Sequence, residues 1–297
     1  MQYRHSLLMI KTVIVVLISL QTLVCLGQNK HALLIGIGDY PEVSGWNKIH
    51  GDNDISLIKA NLLNQGFTEG NIEVLLNSSA TKSAIITSFN TLCSRIDKND
   101  VVYIHFSGHG QQITDLNGDE DDGYDEAWIP YDAYKTYIAG VYEGENHLID
   151  DELNEIFTRI RISLGAKGKI VVVADACHSG SGSRGMSDDE EETYIRGTGA
   201  KFALPQDKAN IIRKQEPVEW LFVAACKPYQ TNYEYKAEDG VFYGALSYII
   251  ANDKRDFVAN KYVDVLKEWN SEMGKIVRYP QNMDNDGQPS RRSVYMF

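Results

Sequence analysis

The stretch KIVVVADACHSG at residues 169–180 restricts the fold more than any other part of the chain. The five apolar residues after Lys169 are mostly β-branched, which predicts a strand buried on both faces, as in a parallel sheet. The small and polar residues that begin at Asp175 end this strand. Cys177 is therefore expected at the carboxyl end of a buried strand, where open α/β sheets place their functional sites.

A second stretch, VVYIHFSGHG at residues 101–110, has the same organisation: an apolar strand followed by the turn residues 107–110. Neighbouring parallel strands lie about 4.8 Å apart. If the two strands are neighbours, His109 and Cys177 lie at the same edge of the sheet. A cysteine beside a histidine is the minimal equipment for catalysis by a thiol nucleophile.

Strands alternate with amphipathic helices in the rest of the chain. The further predicted strands cover residues 30–40, 71–76, 219–226 and 292–297, and the predicted helices begin near residues 51, 81, 150, 240 and 263. This alternation predicts a three-layer α/β/α sandwich with a mostly parallel central sheet. Residues 111–147 are expected to form a long polar loop. Residues 179–217, rich in Gly, Ser and charge, are expected to form an exposed, mobile linker.

The segment 1–27 differs from the rest of the chain. A positively charged start, a short apolar core and small residues before Gln28 are typical of a secretory signal. The apolar core is short for a transmembrane span. We therefore expect export to a periplasmic or extracellular location, with a retained N-terminal membrane anchor as the alternative. Residues 28–297 then form a single domain.

Composition narrows the partners and the chemistry. The formal net charge of −12 argues against nucleic acid or an anionic membrane surface as a partner. Without the signal, three cysteines remain, an odd number that does not suit a disulfide framework and leaves room for a reactive thiol. Cys93 and Cys226 are expected to be small buried hydrophobic side chains.

Attack by a thiol on a carbonyl group needs a nucleophile, a base and donors for the oxyanion. Cys177 is the candidate nucleophile and His109 the candidate base. The backbone N–H groups of Cys177 and Gly110 are the candidate oxyanion donors. The alternative is a buried cysteine and an ordinary histidine in two core strands. The shared position of both residues, just beyond an apolar strand, favours catalysis.

The run SGHG at residues 107–110 and the run DACHSG at residues 175–180 resemble the two signature motifs of the metacaspases, which are caspase-like cysteine peptidases. The resemblance covers about residues 30–251. It implies a caspase–haemoglobinase fold and endopeptidase activity through a Cys/His dyad. It also implies polypeptide substrates cleaved after Arg or Lys, with no cofactor required for the chemistry. The parts of the domain would then be large-subunit-like at 28–180, a linker at 181–217 and small-subunit-like at 218–297.

A basic substrate side chain needs a carboxylate in its pocket. Asp175 shares the strand end of Cys177, and Asp54 follows the first predicted strand, so both are candidates for this pocket. In the metacaspases, the matching aspartates line the pocket together with the serine that matches Ser107. For Asp54, the alternative role is capping of a helix N-terminus.

Two acidic clusters suggest cation binding. Residues 115–126 partly imitate an EF-hand loop, but no pair of predicted helices brackets them. The resemblance implies instead a calcium activator site formed by carboxylates that match Asp125, Asp150 and Asp151. A further ligand position of the family falls on Arg184, so the family set is incomplete in this chain. The alternative is a pair of solvated acidic loops.

The predicted linker is rich in basic residues. They are Arg184, Arg196, Lys201, Lys208, Arg213 and Lys214. In a peptidase that cleaves after basic residues, an exposed basic loop beside the active site is a candidate for self-cleavage. We therefore expect self-processing between residues 181 and 217.

Two other functions stay open at this point. A clostripain- or gingipain-like peptidase would share the basic preference and the His-Gly and Ala-Cys strand endings. A catalytically silent caspase-like binding module would share the fold without the chemistry. The presence of both His109 and Cys177 argues against the silent module.

Overall fold

The computed structural model describes residues 28–118, 120–178, 193–205, 220–284 and 295–297. The predicted signal at residues 1–27 and most of the predicted linker lie outside these residues. Within the described part of the chain, none of the helices has the length and apolar character needed to cross a membrane.

The described strands form one large parallel sheet and two small antiparallel ones. The strands are β1 (Lys30–Gly36), β2 (Ile72–Leu76), β3 (Val101–Ser107), β4 (Gly110–Thr114), β5 (Tyr124–Trp128), β6 (Leu148–Ile149), β7 (Lys169–Asp175), β8 (Leu221–Ala224), β9 (Glu234–Lys236) and β10 (Phe242–Gly244). The large sheet has the order β2-β1-β3-β7-β8, with all neighbours parallel. Every residue of β3 is buried, including the polar His105 and Ser107, as its largely apolar run predicts.

Helices cover both faces of the parallel sheet. They are α1 (Gly51–Asn64), α2 (Lys82–Arg95), α3 (Asp150–Leu164), α4 (Ala245–Asn252) and α5 (Tyr262–Ile276). Side chains of α2 and α3 join Leu33 and Ile35 of β1 in one core cluster, whereas side chains of α1, α4 and α5 join Ala32 and Leu34 in the other. This alternation along β1 is the pattern of a strand buried on both faces. The predicted three-layer sandwich is confirmed.

The prediction of a long polar loop over residues 111–147 is wrong. β4, β5 and β6 form a three-stranded antiparallel sheet within and next to this range. β4 escapes a search for apolar residues because its fully buried Gln111 is polar. The Gln111 amide donates to the carbonyls of Lys135 (3.1 Å) and Ala200 (2.8 Å), and its oxygen lies 3.0 Å from Nε2 of His147. These partners remove the cost of burying the amide.

The prediction of an exposed linker is wrong for residues 193–205. Arg196 and Phe202 are buried there, at 0% and 1% exposure. The Phe202 N–H donates to the Gln112 carbonyl (2.8 Å), and the Phe202 carbonyl accepts from Thr114 N–H (3.0 Å). The segment carries no apolar periodicity because it packs singly along the edges of other elements. Its burial therefore depends on partners that are distant in sequence.

Two predicted boundaries also shift. The helix expected from about residue 240 begins at Ala245, because Phe242–Gly244 pair with Glu234–Lys236 as a short hairpin. Of the strand expected at 292–297, the described residues 295–297 contribute a single bridge, between Tyr295 and Lys261. The described structure before Ala245 and at residues 295–297 is therefore less regular than the apolar content of the sequence predicts.

Candidate active site

The parallel register brings the two sequence motifs to one edge of the sheet. Ser107, at the end of β3, pairs with Asp175, at the end of β7. His109 and Cys177 each follow two residues later. Gly110 lies against the cysteine so closely that a Cβ there would come within 2.7 Å of the Cys177 carbonyl oxygen. The parallel register therefore brings the two motifs together, as their shared position after two strand ends predicts.

Cys177 is buried, and its polar atoms form hydrogen bonds with two other parts of the chain. The Sγ thiol donates to the carbonyl of Gln230 at 3.0 Å. The backbone N–H donates to the carbonyl of Arg196 at 2.7 Å, and Gly197 continues as a parallel bridge beside the cysteine. The N–H of the candidate nucleophile therefore points at a carbonyl oxygen of a bound peptide segment, which is the geometry of an oxyanion donor.

His109 is held in the tautomer that a base requires. Its Nε2 lies 2.9 Å from the carbonyl of Asn47, which can only accept, so the ring proton resides on Nε2. Nδ1 carries the lone pair, is buried and has no hydrogen-bond partner among the described residues. The ring stacks on Trp46 with centroids 4.7 Å apart. Burial lowers the pKa of His109 to about 4, which keeps the ring neutral and able to accept a proton.

The guanidinium of Arg196 fills a pocket lined by three carboxylates. Nη1 lies 2.7 Å from Asp54 Oδ2 and also donates to Ser107 Oγ, and the Asp175 carboxylate lies 3.7 Å away. Nε donates to Glu234 Oε1 at 3.0 Å, and Nη2 lies 2.9 Å from the same oxygen. The pocket therefore surrounds a basic side chain with hydrogen-bond acceptors. It contains Asp54, Ser107 and Asp175, the three pocket residues predicted from the sequence.

Asp54 belongs to this pocket and does not cap a helix. It is the fourth residue of α1, whose N-cap position is His50. Its carboxylate accepts from Ser107 Oγ (2.5 Å) and from the Gly244 N–H (2.9 Å) in addition to Arg196. Asp54 is therefore positioned by α1, and its carboxylate forms its hydrogen bonds within the pocket.

The pocket holds more carboxylates than cations, which affects how readily each one ionises. Burial raises the pKa of Asp54 to about 6, although Arg196 opposes this. Burial works in the same direction at Asp175, but Arg196 and the hydrogen bonds from Asn232 and Ser247 hold the Asp175 pKa below its usual value. The pKa of Glu234 is also lowered, by Arg196 and His50 against its burial. Asp175 and Glu234 therefore carry the negative charge that a bound cation requires.

Residues 194–196 lie in the cleft as an added strand. The Arg196 N–H donates to the Asn232 carbonyl at 3.0 Å, and the Glu234 N–H donates to the Tyr194 carbonyl at 3.0 Å. Between them, Ile195 forms an antiparallel bridge with Tyr233. This is recognition of an extended peptide by strand addition. The segment thus presents the Arg196 side chain to the pocket and the Arg196 carbonyl to the candidate nucleophile.

Several residues of the site were missed by the sequence analysis. Glu234 and Asn232 belong to the tyrosine-rich tract at 229–243, which carries no periodic signal for a pocket. Asn47, which orients His109, acts through its backbone carbonyl, which any residue type could supply. Cys226 was expected to be a small buried hydrophobic side chain; it is buried, and a hydrogen bond with the Cys177 thiol together with burial raises the pKa of its own thiol.

The acidic cluster lies at a cavity of about 390 Å³ that is also lined by Cys177 and His178. Ligand atoms of Glu120, Glu126 and Asp150 lie within 4.8 Å of one another. Burial raises the pKa of Asp150 to about 8, and the neighbouring carboxylates, including Asp125 and Asp151, add to this effect.

The predicted metal set, Asp125, Asp150 and Asp151, therefore overlaps this group in one member. The other two predicted residues contribute to its negative field. Arg184, the position at which the family set is incomplete, lies outside the described residues.

Comparison with known proteins agrees with the geometry. The model of the caspase domain matches residues 29–291. A metacaspase-1 of Eremothecium gossypii is 26% identical over 307 aligned positions, which cover 86% of this chain and 64% of that protein. A metacaspase-1 of Coccidioides immitis is 34% identical over 166 positions, covering 53% of this chain and 32% of that protein. The chain thus spans less than two thirds of the length of these curated relatives.

A solved protein of Geobacter sulfurreducens shares the fold. It superposes with a TM-score of 0.59 at 22% identity, covering 90% of this chain and 97% of that one. At this level of identity the likeness concerns the architecture alone. It includes the sandwich that brings the strand ends of the site together.

Proposed function

The chain belongs to the caspase-domain family of cysteine peptidases, and we propose that it is an endopeptidase that cleaves after basic residues. Cys177 is the nucleophile and His109 the base. Asp54, Ser107 and Asp175 form the pocket for the basic side chain. The observation that carries this proposal is the segment ending in Arg196, which lies in the cleft as a substrate would.

The reaction follows from the atoms around Cys177. Nδ1 of His109 takes the thiol proton, and the thiolate sulfur forms a bond to the substrate carbonyl carbon. The resulting oxyanion accepts the N–H of Cys177, which already lies 2.7 Å from the Arg196 carbonyl oxygen. The C–N bond breaks as the leaving amine takes the proton from His109. Water then hydrolyses the thioester, and the substrate carboxyl group and the free thiol result.

The shape of the pocket supports arginine over lysine. A lysine ammonium can approach Asp54 and Asp175 as a point charge. It has no counterpart to the Arg196 Nε–H, which donates to Glu234 at 3.0 Å. Since the planar guanidinium uses separate donors for separate carboxylates, we expect arginine peptides to be the better substrates.

Fluorogenic peptides ending in Arg, Lys or Asp test this proposal. We expect hydrolysis of the Arg peptide, weaker hydrolysis of the Lys peptide and none of the Asp peptide. The Cys177→Ala variant should lose all activity, whereas the matched Cys93→Ala variant should keep it. Hydrolysis after Asp would contradict the pocket. Absence of hydrolysis, together with no labelling of Cys177 by a thiol-reactive probe, would favour the silent binding module.

The bond from Arg196 to Gly197 is the site that we propose for self-processing. The Arg196 carbonyl faces the oxyanion donor, and the next residue has no side chain. A Cβ on Gly197 would come within 2.1 Å of the Cys177 carbonyl oxygen, so glycine lets the chain pass the nucleophile. Lys201 is the other basic residue among residues 193–205, and its carbonyl does not accept the Cys177 N–H.

Mass spectrometry of the purified chain tests this cleavage. We expect a fragment that begins at Gly197, absent from the Cys177→Ala and Arg196→Gln variants and present in the matched Lys201→Gln variant. Unchanged processing of Arg196→Gln would show that another bond is cut.

Calcium is the second element of the proposal. Its preferred ligands are carboxylate oxygens, and Glu120, Glu126 and Asp150 would hold it, with Asp125 and Asp151 adding negative charge. The mutual repulsion of these closely spaced carboxylates fits a site that a divalent cation stabilises. Bound calcium would neutralise one wall of the cavity that reaches Cys177.

Calorimetric titration with calcium tests the site without relying on activity. We expect binding heat and a higher melting temperature for the Cys177→Ala chain, both lost in a second variant that adds Asp150→Asn. The exposed Glu238→Gln serves as the matched control. Equal binding heats for Cys177→Ala alone, with Asp150→Asn and with Glu238→Gln would contradict the proposed calcium site.

Export through residues 1–27 completes the proposal. The support is the charge and hydropathy pattern of these residues. Mass spectrometry of protein expressed with the full sequence is expected to find a mature chain beginning at Gln28. A chain beginning at Met1 in the membrane fraction would favour the retained anchor.

A further inference from the structure

Two aromatic rings form a cleft next to the basic pocket. The rings of His50 and Phe242 are stacked, with centroids 5.3 Å apart and planes 20° apart. His50 is the residue before α1, and Phe242 begins β10. The cleft therefore joins the two parts of the chain that also supply the pocket carboxylates. The proposed chemistry at Cys177 and His109 does not use either ring.

The side chain of Tyr194 occupies this cleft. Its ring meets His50 edge-on, with centroids 4.5 Å apart and planes 89° apart. It meets Phe242 with centroids 4.9 Å apart and planes 70° apart. Aromatic pairs prefer such tilted arrangements because the positive edge of one ring faces the negative face of the other. One tyrosine thus makes two favourable ring contacts at once.

The backbone fixes which substrate residue reaches the cleft. The Tyr194 carbonyl accepts the Glu234 N–H, and the Arg196 N–H donates to the Asn232 carbonyl. Side chains alternate along a strand, so the first and third residues of a bound peptide point the same way, whereas Ile195 points the other way. Any peptide that binds in this register with a basic residue in the pocket therefore brings the residue two positions earlier to the rings.

The cleft and the pocket share one carboxylate. Glu234 accepts from His50 through both its oxygens: the backbone N–H lies 2.7 Å from Oε1, and Nδ1 lies 2.6 Å from Oε2. The same carboxylate accepts the Nε–H of Arg196. Because Glu234 holds the His50 ring in place, the distance between the basic pocket and the aromatic cleft is fixed. A fixed spacing between two binding points is what allows a site to recognise a short motif.

We propose that the His50–Phe242 cleft is a substrate subsite that selects an aromatic side chain two residues before the cleaved basic residue. The proposal rests on cleavage after basic residues and extends it to the motif aromatic-X-Arg. An aliphatic residue can fill the same space, but it lacks the aromatic ring that both edge-to-face contacts require.

A set of four peptide substrates tests the subsite. They share Ile-Arg before a fluorogenic coumarin and differ in the preceding residue, which is Tyr, Phe, Leu or Ala. We expect kcat/KM of the Tyr and Phe peptides to exceed that of the Ala peptide about three- to tenfold, with Leu between them. In Phe242→Ala this ratio should fall to about one, whereas Phe242→Tyr should keep it. Equal kcat/KM for all four peptides with the wild-type chain would overturn the proposal.

The matched control is Tyr229→Ala, which removes an aromatic ring that is 76% exposed and belongs to no described ring pair. It should leave the ratio unchanged. A ratio that falls equally in Tyr229→Ala and Phe242→Ala would mean that the cleft does not carry the selectivity.

A second measurement separates the subsite from the proposed catalysis. In the full-length Cys177→Ala chain, trypsin can cut after Arg196 only when residues 194–197 leave both the basic pocket and the His50–Phe242 cleft. We expect Tyr194→Ala and Phe242→Ala to raise the rate of this cut about threefold or more, and Tyr194→Phe to leave it unchanged. Equal rates in all variants would overturn the subsite even if peptides are hydrolysed. Protection by the rings would support it even if the chain hydrolyses no arginine peptide.

Discussion

The guanidinium of Arg196 shows what single residues contribute to this site. Asp54, Ser107 and Asp175 could be predicted from the sequence. Ser107 and Asp175 lie at predicted strand ends, Asp54 lies at the start of the helix predicted after the first strand, and all three match pocket positions of the family. Glu234 could not, because nothing in its local sequence separates it from the other acidic residues of its tract. Only the fold reveals that its carboxylate meets the Nε–H of a bound arginine.

The proposed preference for arginine depends on Glu234. Replacing it with glutamine keeps the size and removes the charge that meets Nε and Nη2 of the bound arginine. A hydrogen bond to a charged group contributes about 1.5–3 kcal/mol. We therefore expect Glu234→Gln to lower kcat/KM for an Arg peptide about tenfold or more and to lower it less for the matching Lys peptide. The measurement is the Arg-to-Lys ratio of kcat/KM.

The exposed Glu238→Gln is the same chemical change four residues away and should leave the ratio unaltered. Equal losses on both peptides in Glu234→Gln would indicate a purely structural role for this carboxylate.

His109, as the proposed base, is expected to set the acid limit of catalysis. Its pKa is lowered to about 4 in the structure in which a peptide segment occupies the cleft, so the base stays unprotonated well below pH 6.5. We expect kcat, which reports the occupied enzyme, to fall as the pH drops through about 4. A descending limb near pH 6.5 would contradict the buried, neutral imidazole.

The same shift affects stability with a defined sign. The unfolded chain binds the His109 proton near pH 6.5, and the folded chain only near pH 4. Stability is therefore lost as the pH falls from about 6.5 towards 4, and the contribution of His109 is fully present above that window. Thermal melts of the Cys177→Ala chain across this range, compared with a His109→Gln version, measure this contribution.

At the scale of elements, the strands fall into two classes. β3 and β7 could be predicted because each is a short, mostly β-branched or aromatic apolar run followed by turn residues, which favours a strand covered on both faces. β4 could not, because Gln111 fills a buried position that patterning reserves for apolar side chains. The burial of residues 193–205 could not be predicted either. A single added segment pairs with only one edge of another element, so its sequence shows no apolar periodicity.

Gln111 should therefore contribute as much to stability as an apolar core residue. Gln111→Ala leaves the carbonyls of Lys135 and Ala200 without this donor and removes the partner of His147 Nε2. We expect a loss of about 2 kcal/mol in the free energy of unfolding, measured by urea denaturation in the Cys177→Ala background. Gln112→Ala, at the neighbouring half-buried position, should cost less than about 1 kcal/mol. Equal costs would mean that the buried amide network adds nothing.

At the scale of the whole molecule, the site is built from both sides of the predicted linker. Asp54, Ser107 and Asp175 come from the N-terminal side, and Asn232 and Glu234 come from the C-terminal side. β7 and β8 pair across the same division, and one hydrophobic cluster contains side chains from both parts. The two parts therefore share a core as well as a site.

Self-cleavage at Arg196 should leave the two fragments together. The shared core and the β7–β8 pairing do not involve the cut bond. We expect two bands on a denaturing gel but a single peak in size-exclusion chromatography, at the elution volume of the uncut Cys177→Ala chain. Separation of the fragments under native conditions would contradict the shared core as the source of cohesion.

The bound segment at residues 194–197 has a consequence for how the uncut chain meets any other peptide. An occupant that is tethered to its own binding site is present at an effective concentration of about the millimolar range, whatever the concentration of the protein. Dilution, which releases an ordinary ligand, leaves this cleft as full as before. A free peptide must therefore compete with a segment that cannot diffuse away. Once the bond between Arg196 and Gly197 is broken, the segment becomes a chain end that can leave the cleft.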